Sequence, residues 1–475
     1  MNQEKTIERL GNNVKESDKD VYEVVSSKRP ARLSFEQYHQ NIINSLLKND
    51  PDIYSLIRKE YDRQLNTIQL IAAENQCNRS VLAALGSIVQ NKTTEGFIGQ
   101  RFHGGSNFVD QMEYIAIERA KEAFNAKYAN VQPHSGTQAN QIIMTAILEK
   151  DDAILSLALD QGGHVSHGAG VSFSGKFFNA HHYYVDPKTC LLDYDNIREL
   201  ALKVRPKMII CGAAAYSRKI DFKKFREIAD EVGAFLLADI SHLAALIIGG
   251  AHPSPIDYAH FTTSSTYKPG GPRGGLILMG KDHDMPFIAN GKKTLLFKCI
   301  QKTTFPGVQG TPYMNHIAAK AVFFKEALTE SYKQRQFKVI ENAKRLSQNF
   351  VNAGYDVVTK GTDNHMVLIN VSNSIPAMTG VIAQRVLEEC GIIINMNALP
   401  YDTKPMSVTS GIRLGTPIVT KNNMEDMQMD AIFEMINIVL NNTVILDEKN
   451  YKVDPSVKKQ TLENVAMLCS KFPIV

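Results

Sequence analysis

The stretch from Lys207 to Asp239 limits the possible folds more than any other part of the chain. Residues 207–212 (KMIICG) and 234–239 (AFLLAD) are short apolar runs. Such runs mark strands buried on both faces of a parallel sheet. Between them Phe222, Phe225, Ile228, Ala229 and Val232 recur at helical spacing, with Asp221 placed as N-cap and Gly233 just past the last turn. Parallel neighbours need a crossover, so this order specifies a β-α-β unit. Asp239 then falls at the carboxyl end of its strand, where open α/β sheets bind ligands.

Lys268 follows the hydroxyl-rich run FTTSSTY (261–267) and precedes PGGPRGG; a third apolar run, 275–279, comes next. A lysine nucleophile must first lose its proton, which desolvation favours. Glycines let backbone approach a bulky phosphorylated group. A strand-end aspartate with a lysine before the next strand fits a pyridoxal 5'-phosphate (PLP) enzyme, in which the aspartate keeps the pyridine nitrogen protonated. HSGTQAN (134–140) leads into a helical pattern at Ile142, Ile143, Ala146 and Ile147. Ser135, Gly136 and Thr137 would then offer free N–H groups to an anion. Each residue also has an ordinary reading: a solvated loop lysine, a strand-end cap, a plain helix N-cap.

The whole chain sets wider bounds. Its 475 residues, 44% hydrophobic and 21% charged, suffice for two domains of one enzyme. Lys+Arg number 53 against Asp+Glu 49, too balanced for nucleic-acid binding. Cysteines 77, 190, 211, 299, 390 and 469 show neither disulfide nor zinc spacing, which suits reduced intracellular thiols. No run is long enough to span a membrane, and the acidic N-terminus resembles neither a signal nor a transit peptide, so a cytoplasmic location is expected. Residues 1–33 read as a polar extension, and 34–65 as two helical patterns broken at Asp50-Pro51. The expected layout is 1–65 as extension and arm helices, 66–325 as a large cofactor domain and 326–475 as a small C-terminal α/β domain. Within the last, 326–352 reads as a linking helix; 356–358, 366–371 and 392–394 read as strands, and 455–472 as a final helix.

Ordered blocks along the chain carry a resemblance. They are IQLIAAEN (68–75), NKTTEGFIGQRFHGG (91–105), YANVQPHSGTQAN (128–140), QGGHVSHG (161–168), LLADISHLA (236–244), TYKPGGPRGG (266–275), FPGVQGTP (305–312), GTDNHMVLI (361–369) and VTSGIRLGTP (408–417). Together they resemble serine hydroxymethyltransferases. The resemblance implies a fold-type I PLP enzyme whose large domain holds a mostly parallel seven-stranded sheet beside a smaller domain. It implies an obligate homodimer with shared active sites, or a tetramer built from it. It gives Lys268 the Schiff base, Asp239 the pyridine nitrogen, His164 the stacked ring and His242 the substrate carboxylate and cofactor hydroxyl. Arg413 becomes the clamp on the amino-acid carboxylate, and Glu95 the acid–base group supplied by the neighbouring subunit. Ser135, Gly136 and Thr137 become the phosphate loop, with Gly307 a phosphate contact across the dimer. Tyr267 adjoins the cofactor. Leu159, Gly163 and Asn397 match tetrahydrofolate positions. No metal is implied, and the ligands are small molecules.

The chain also departs from that pattern. Ala73 and Ala214 stand where serines are usual, Thr93 and His103 where tyrosines are, and Tyr267 where a histidine precedes the lysine. Pro269 follows Lys268 in a segment one residue short; Val165 replaces a leucine, and 405–407 (PMS) lacks a folate-lining aromatic. Three readings follow. The first is reversible serine–glycine hydroxymethyl transfer with tetrahydrofolate as co-substrate. The second is a folate-independent β-hydroxy-amino-acid aldolase or transaldolase of specialised metabolism. The third is a degenerate paralogue acting as a binding subunit.

Overall fold

The computed structural model describes residues 42–289 and 291–474; the extension expected over 1–33 lies outside the described residues. Seven strands build the main sheet: β1 (Tyr128–Asn130), β2 (Ala153–Leu157), β3 (Asn179–Tyr183), β4 (Met208–Cys211), β5 (Phe235–Asp239), β6 (Phe261–Ser265) and β7 (Gly275–Met279). Their spatial order is β1-β7-β6-β5-β4-β2-β3. Neighbours run parallel from β3 to β6, and β7 lies antiparallel to both β6 and β1. β4, and β5 up to its terminal Asp239, are apolar runs at the centre of this sheet, as their sequences predict.

The described residues begin with two helices, α1 (Ile42–Asn49) and α2 (Pro51–Leu65), separated at Asp50, whose side chain caps α2. Covering helices include α3 (Asn107–Phe124), α4 (Gly136–Ile147), α5 (Phe222–Val232) and α6 (Met314–Ala327). α5 begins on Asp221, whose carboxylate accepts from Lys223 and Lys224 N–H, and ends on Gly233 at φ 70°. That left-handed turn is where glycine costs least.

The expected linking helix begins later than its sequence suggests. α6 stops at Ala327, and α7 (Glu330–Asn352) opens on Thr329, whose hydroxyl accepts from Tyr332 N–H at 3.3 Å. No glycine or proline marks this break; a side-chain cap makes it.

A second sheet follows: β8 (Asp356–Val357), β9 (Met366–Asn370), β10 (Asn395–Asn397) and β11 (Gly411–Gly415), antiparallel in the order β8-β9-β11-β10. Helices α8 (Gly380–Glu389), α9 (Asp426–Asn441) and α10 (Pro455–Lys471) accompany it. The strand-like run at 392–394 does not join this sheet. Ile392–Ile393 pairs in parallel with Ile68–Gln69, and Ile68 and Leu70 are buried in the same apolar cluster as α7, α8 and α9. The segment after α2 is thereby fastened to the C-terminal part, with its following residues, 72–78, leading back toward Lys268.

Candidate active site

The carboxyl ends of β5 and β6 meet the N-terminus of α4. Asp239, the last residue of β5, is buried. Its Oδ2 accepts from His167 Nε2 at 3.0 Å and Asn140 Nδ2 at 2.8 Å. Its Oδ1 accepts from the Ser241 backbone at 3.0 Å and hydroxyl at 2.6 Å. Burial alone would raise this carboxyl. The bond and charge of His167, the charge of His164 and the Ser241 hydroxyl outweigh burial and hold it well below the usual carboxylate range. Asp239 is therefore an anion fixed in place, as a partner for a cationic ring nitrogen must be. His164, His167 and Asp239 are close enough to share a cation, but the His167–Asp239 bond already uses the pair.

Lys268 lies in the turn after β6. Its Nζ donates to Ser265 Oγ at 3.2 Å, and Ser265 N–H donates to Ser241 Oγ at 2.9 Å, joining the lysine to the Asp239 network. The Tyr267 ring faces Lys268 Nζ at 4.7 Å and the Arg273 guanidinium at 4.3 Å. Asn75 Nδ2 donates to the Lys268 carbonyl at 3.1 Å. Burial pushes the His164 imidazole down to about 4, and its Nδ1 accepts from Ser166 N–H at 3.2 Å, so this ring is neutral near pH 7.

The helix start expected at Ser135–Thr137 is the N-terminus of α4. Ser135 is its N-cap, accepting from Gln138 N–H at 3.1 Å. Ser135 and Thr137 are exposed. A Cβ on Gly136 would lie 3.1 Å from Ser265 N and 3.3 Å from Ser241 Oγ, so glycine lets the helix end sit this close to the Lys268–Asp239 network without crowding.

Arg413 projects from β11. Its Nε donates to Asn395 Oδ1 at 3.1 Å, and its Nη1 donates to the Ala214 carbonyl. The Ala214 N–H donates to Gly162 O at 2.8 Å, tying both loops together. Burial lowers the guanidinium to about 10, leaving it charged at neutral pH. His242 and Lys268 line one water-sized cavity with Ala72 and His365.

Glu95, Thr93, His103 and Gly307 lie elsewhere on the chain's surface. Thr93, His103 and Gly307 are exposed, and Glu95 is half-buried. Phe102, 75% exposed, meets Phe305 edge-to-face at 5.5 Å, and Glu95 Oε1 is 3.5 Å from where a Gly310 Cβ would stand. Among the described residues no hydrogen bond joins these four to Lys268 or Asp239. Glu95 and Gly307, the two positions expected to serve a neighbouring subunit, thus occupy one largely open face. Leu159 is exposed in the turn after β2. Gly163 is buried there, and a Cβ on it would strike Leu157 O at 2.2 Å. Asn397 is half-buried on β10, its amide donating to Ala398 O at 2.6 Å. No hydrogen bond links it to the other two.

Sequence reasoning missed His167, Asn140, Ser241 and His365. The H-x-x-H spacing of His164 and His167 was one available signal; Asn140, 99 residues from Asp239, offered none.

The family model described as serine hydroxymethyltransferase matches residues 46–436. A serine hydroxymethyltransferase of Methanosarcina barkeri (strain Fusaro / DSM 804) is 46% identical over 428 residues, covering 90% of this chain and 98% of that protein. The chain belongs to the serine hydroxymethyltransferase family.

Proposed function

We propose that this protein is a PLP-dependent hydroxymethyltransferase that interconverts serine and glycine, with tetrahydrofolate as the one-carbon acceptor. The observation that carries the reading is the joined network Lys268–Ser265–Ser241–Asp239. It places a nucleophilic amine and a permanent carboxylate at two ends of one short hydrogen-bonded path.

The residues fit PLP. Asp239 stays ionised and suits a protonated pyridine nitrogen. The exposed N-terminus of α4 at Ser135–Thr137 suits the phosphate. Lys268 suits the aldehyde, and neutral His164 offers a flat ring. When bound, the cofactor supplies an electron sink for the pair released as the Cα–Cβ bond of serine breaks.

The remaining work falls to this chain's side chains. Arg413 holds the amino-acid carboxylate through its planar fork, while Asn395 and the Ala214 carbonyl fix its orientation. Holding the breaking bond in a productive geometry contributes on the order of 7 kcal/mol in favourable cases. His242 stands by the same carboxylate. Glu95 moves the proton of the serine hydroxyl at its carboxylate oxygen. The absence of any hydrogen bond from it to the Lys268 network among the described residues supports the reading that it serves a partner's site, with Thr93, His103 and Gly307. That makes the working form a homodimer. Leu159, Gly163 and Asn397 would contact the folate. No observation favours the folate-independent aldolase. No helix among the described residues is long and apolar enough to cross a membrane, and we place the enzyme in the cytoplasm.

The test is formation of serine from glycine and methylene-tetrahydrofolate by the PLP-loaded protein. Turnover lost in Lys268→Ala supports the proposal. Wild-type protein that releases no serine, but cleaves larger β-hydroxy amino acids without folate, overturns it.

A further inference from the structure

His365 has no role in the reading above, yet it is the closest polar neighbour of His242 from the C-terminal part of the chain. It precedes β9 and is 3% exposed. Its Nε2 lies 3.2 Å from the Ala72 carbonyl oxygen and 3.5 Å from His242 Nδ1. The two rings are nearly parallel, 16° apart with centroids at 5.6 Å. Ala72 cannot shift away. Gly415 packs so tightly on it that a Cβ there would lie 2.4 Å from Ala72 Cα, and Gly415 N–H donates to Leu70 O at 2.8 Å.

These contacts determine where the protons sit. A carbonyl oxygen only accepts, so the contact with Ala72 requires the proton on His365 Nε2. The other tautomer would set a nitrogen lone pair against the carbonyl. It would also bury an N–H on Nδ1, which has no hydrogen-bond partner in its buried setting. Either fault forfeits a buried hydrogen bond. His365 therefore directs Nε2–H toward Ala72 and His242 together. Burial lowers both imidazoles, His365 to about 3 and His242 well below its ordinary value, so both are neutral. A neutral imidazole has one N–H. With its Nδ1 facing a donor, His242 carries its proton on Nε2.

We propose that His365 is a positioning residue that fixes the tautomer of His242, so that His242 presents an Nε2–H donor to the anionic oxygens of the bound amino acid. What His242 faces rests on the hydroxymethyltransferase reading; the tautomer rests on packing alone. The arrangement gives Ala72 a task. Its carbonyl, held by the C-terminal sheet, orients a histidine beside Lys268.

Two measurements test this. The first is histidine nitrogen NMR of the ¹⁵N-labelled wild type, with His242 assigned by its loss in His242→Asn. Protonated Nε2 and bare Nδ1 on His242 are expected; the reverse pattern overturns the inference whatever the activity. The second compares three variants. Gln places an amide N–H where His365 Nε2 stood, Asn places it near Nδ1, and Phe removes it. His365→Phe and His365→Asn should each raise serine KM by roughly tenfold or more, with kcat changed far less. His365→Gln should restore KM to within about threefold of wild type, the size of change left by a slightly displaced hydrogen bond. Equal KM in all four proteins, or rescue by Asn but not Gln, overturns the inference. Wild-type protein with the Nε2–H tautomer but no serine cleavage upholds the inference and sinks the hydroxymethyltransferase reading alone.

Discussion

The Tyr332 hydroxyl donates to the Pro269 carbonyl at 2.8 Å, although 63 residues separate them. Pro269 directly follows Lys268, and Tyr332 lies in the first turn of α7, which packs against α9 of the C-terminal part. The Lys268 turn is thus held at two successive carbonyls, by Asn75 at Lys268 and by Tyr332 at Pro269. Tyr332→Phe keeps the ring against Phe323, which it meets at 6.1 Å. It leaves a buried carbonyl without its donor. The expected loss is about 1–2 kcal/mol of folding stability, read from a denaturant midpoint at unchanged slope. An unshifted midpoint would show that the Pro269 carbonyl finds another partner.

Arg413→Lys tests the carboxylate clamp. The guanidinium spends one N–H on Asn395 and one on the Ala214 carbonyl, which leaves its other donors for a substrate carboxylate under the proposed reading. A lysine has three donors on one atom and cannot reproduce that fork. Serine KM should rise by roughly 10- to 100-fold, the size of one lost charge-assisted hydrogen bond. Steady-state kinetics with serine, beside a PLP titration that should be unchanged, separates substrate binding from cofactor binding.

Gly136→Ala tests the packing of the α4 N-terminus. The new methyl group would stand 3.1 Å from Ser265 N and 3.3 Å from Ser241 Oγ, atoms that are hydrogen-bonded to each other and would have to give by a few tenths of an ångström. The α4 N-terminus then shifts relative to the Lys268–Asp239 network. PLP affinity should weaken by about tenfold, the cost of roughly one hydrogen bond, measured by absorbance titration of the cofactor-free protein.

What the sequence disclosed of this site was what local pattern can carry. The β4–α5–β5 unit was legible because Asp221, Gly233 and the apolar spacing of α5 act within a few residues of one another. Lys268 and Asp239 were legible because a strand end and a glycine-rich turn are local features. Ser135 as a helix cap was legible for the same reason. The bonds that give these residues their chemistry were not. His167 reaches Asp239 across 72 residues, and His365 reaches Ala72 across 293. No spacing rule encodes a contact made by two sheets meeting. The start of α7 was misplaced because Thr329 ends one helix run and opens the next with a hydroxyl alone, without a breaker residue. The run at 392–394 holds a strand, as its apolar residues predict, but its pairing was not legible: its partner among the described residues, Ile68–Gln69, lies on the far side of the main domain in sequence.

The last prediction concerns Lys320, which is buried on α6. Its Nζ donates to the carbonyls of Val131 at 2.6 Å, Gly275 at 2.8 Å and Pro133 at 3.3 Å, binding the end of β1 to the start of β7. Burial pushes this amine down to about 7, opposed only by the charge of Glu113. In the unfolded chain a lysine titrates near 10.4. Between these values the unfolded state binds more protons than the folded one, so stability rises with pH across the window. The cost of burying the charge is fully present below about pH 7 and is gone above the unfolded value. Lys320→Met removes the titrating group. It also strips three carbonyls of their donor. Wild-type stability minus that of Lys320→Met should therefore climb by a few kcal/mol, at most ~1.4 kcal/mol per pH unit, between pH 7 and 10. Denaturant unfolding of both proteins over that range measures it. Parallel profiles would mean that the three carbonyls compensate the ammonium fully and that Lys320 keeps its charge throughout.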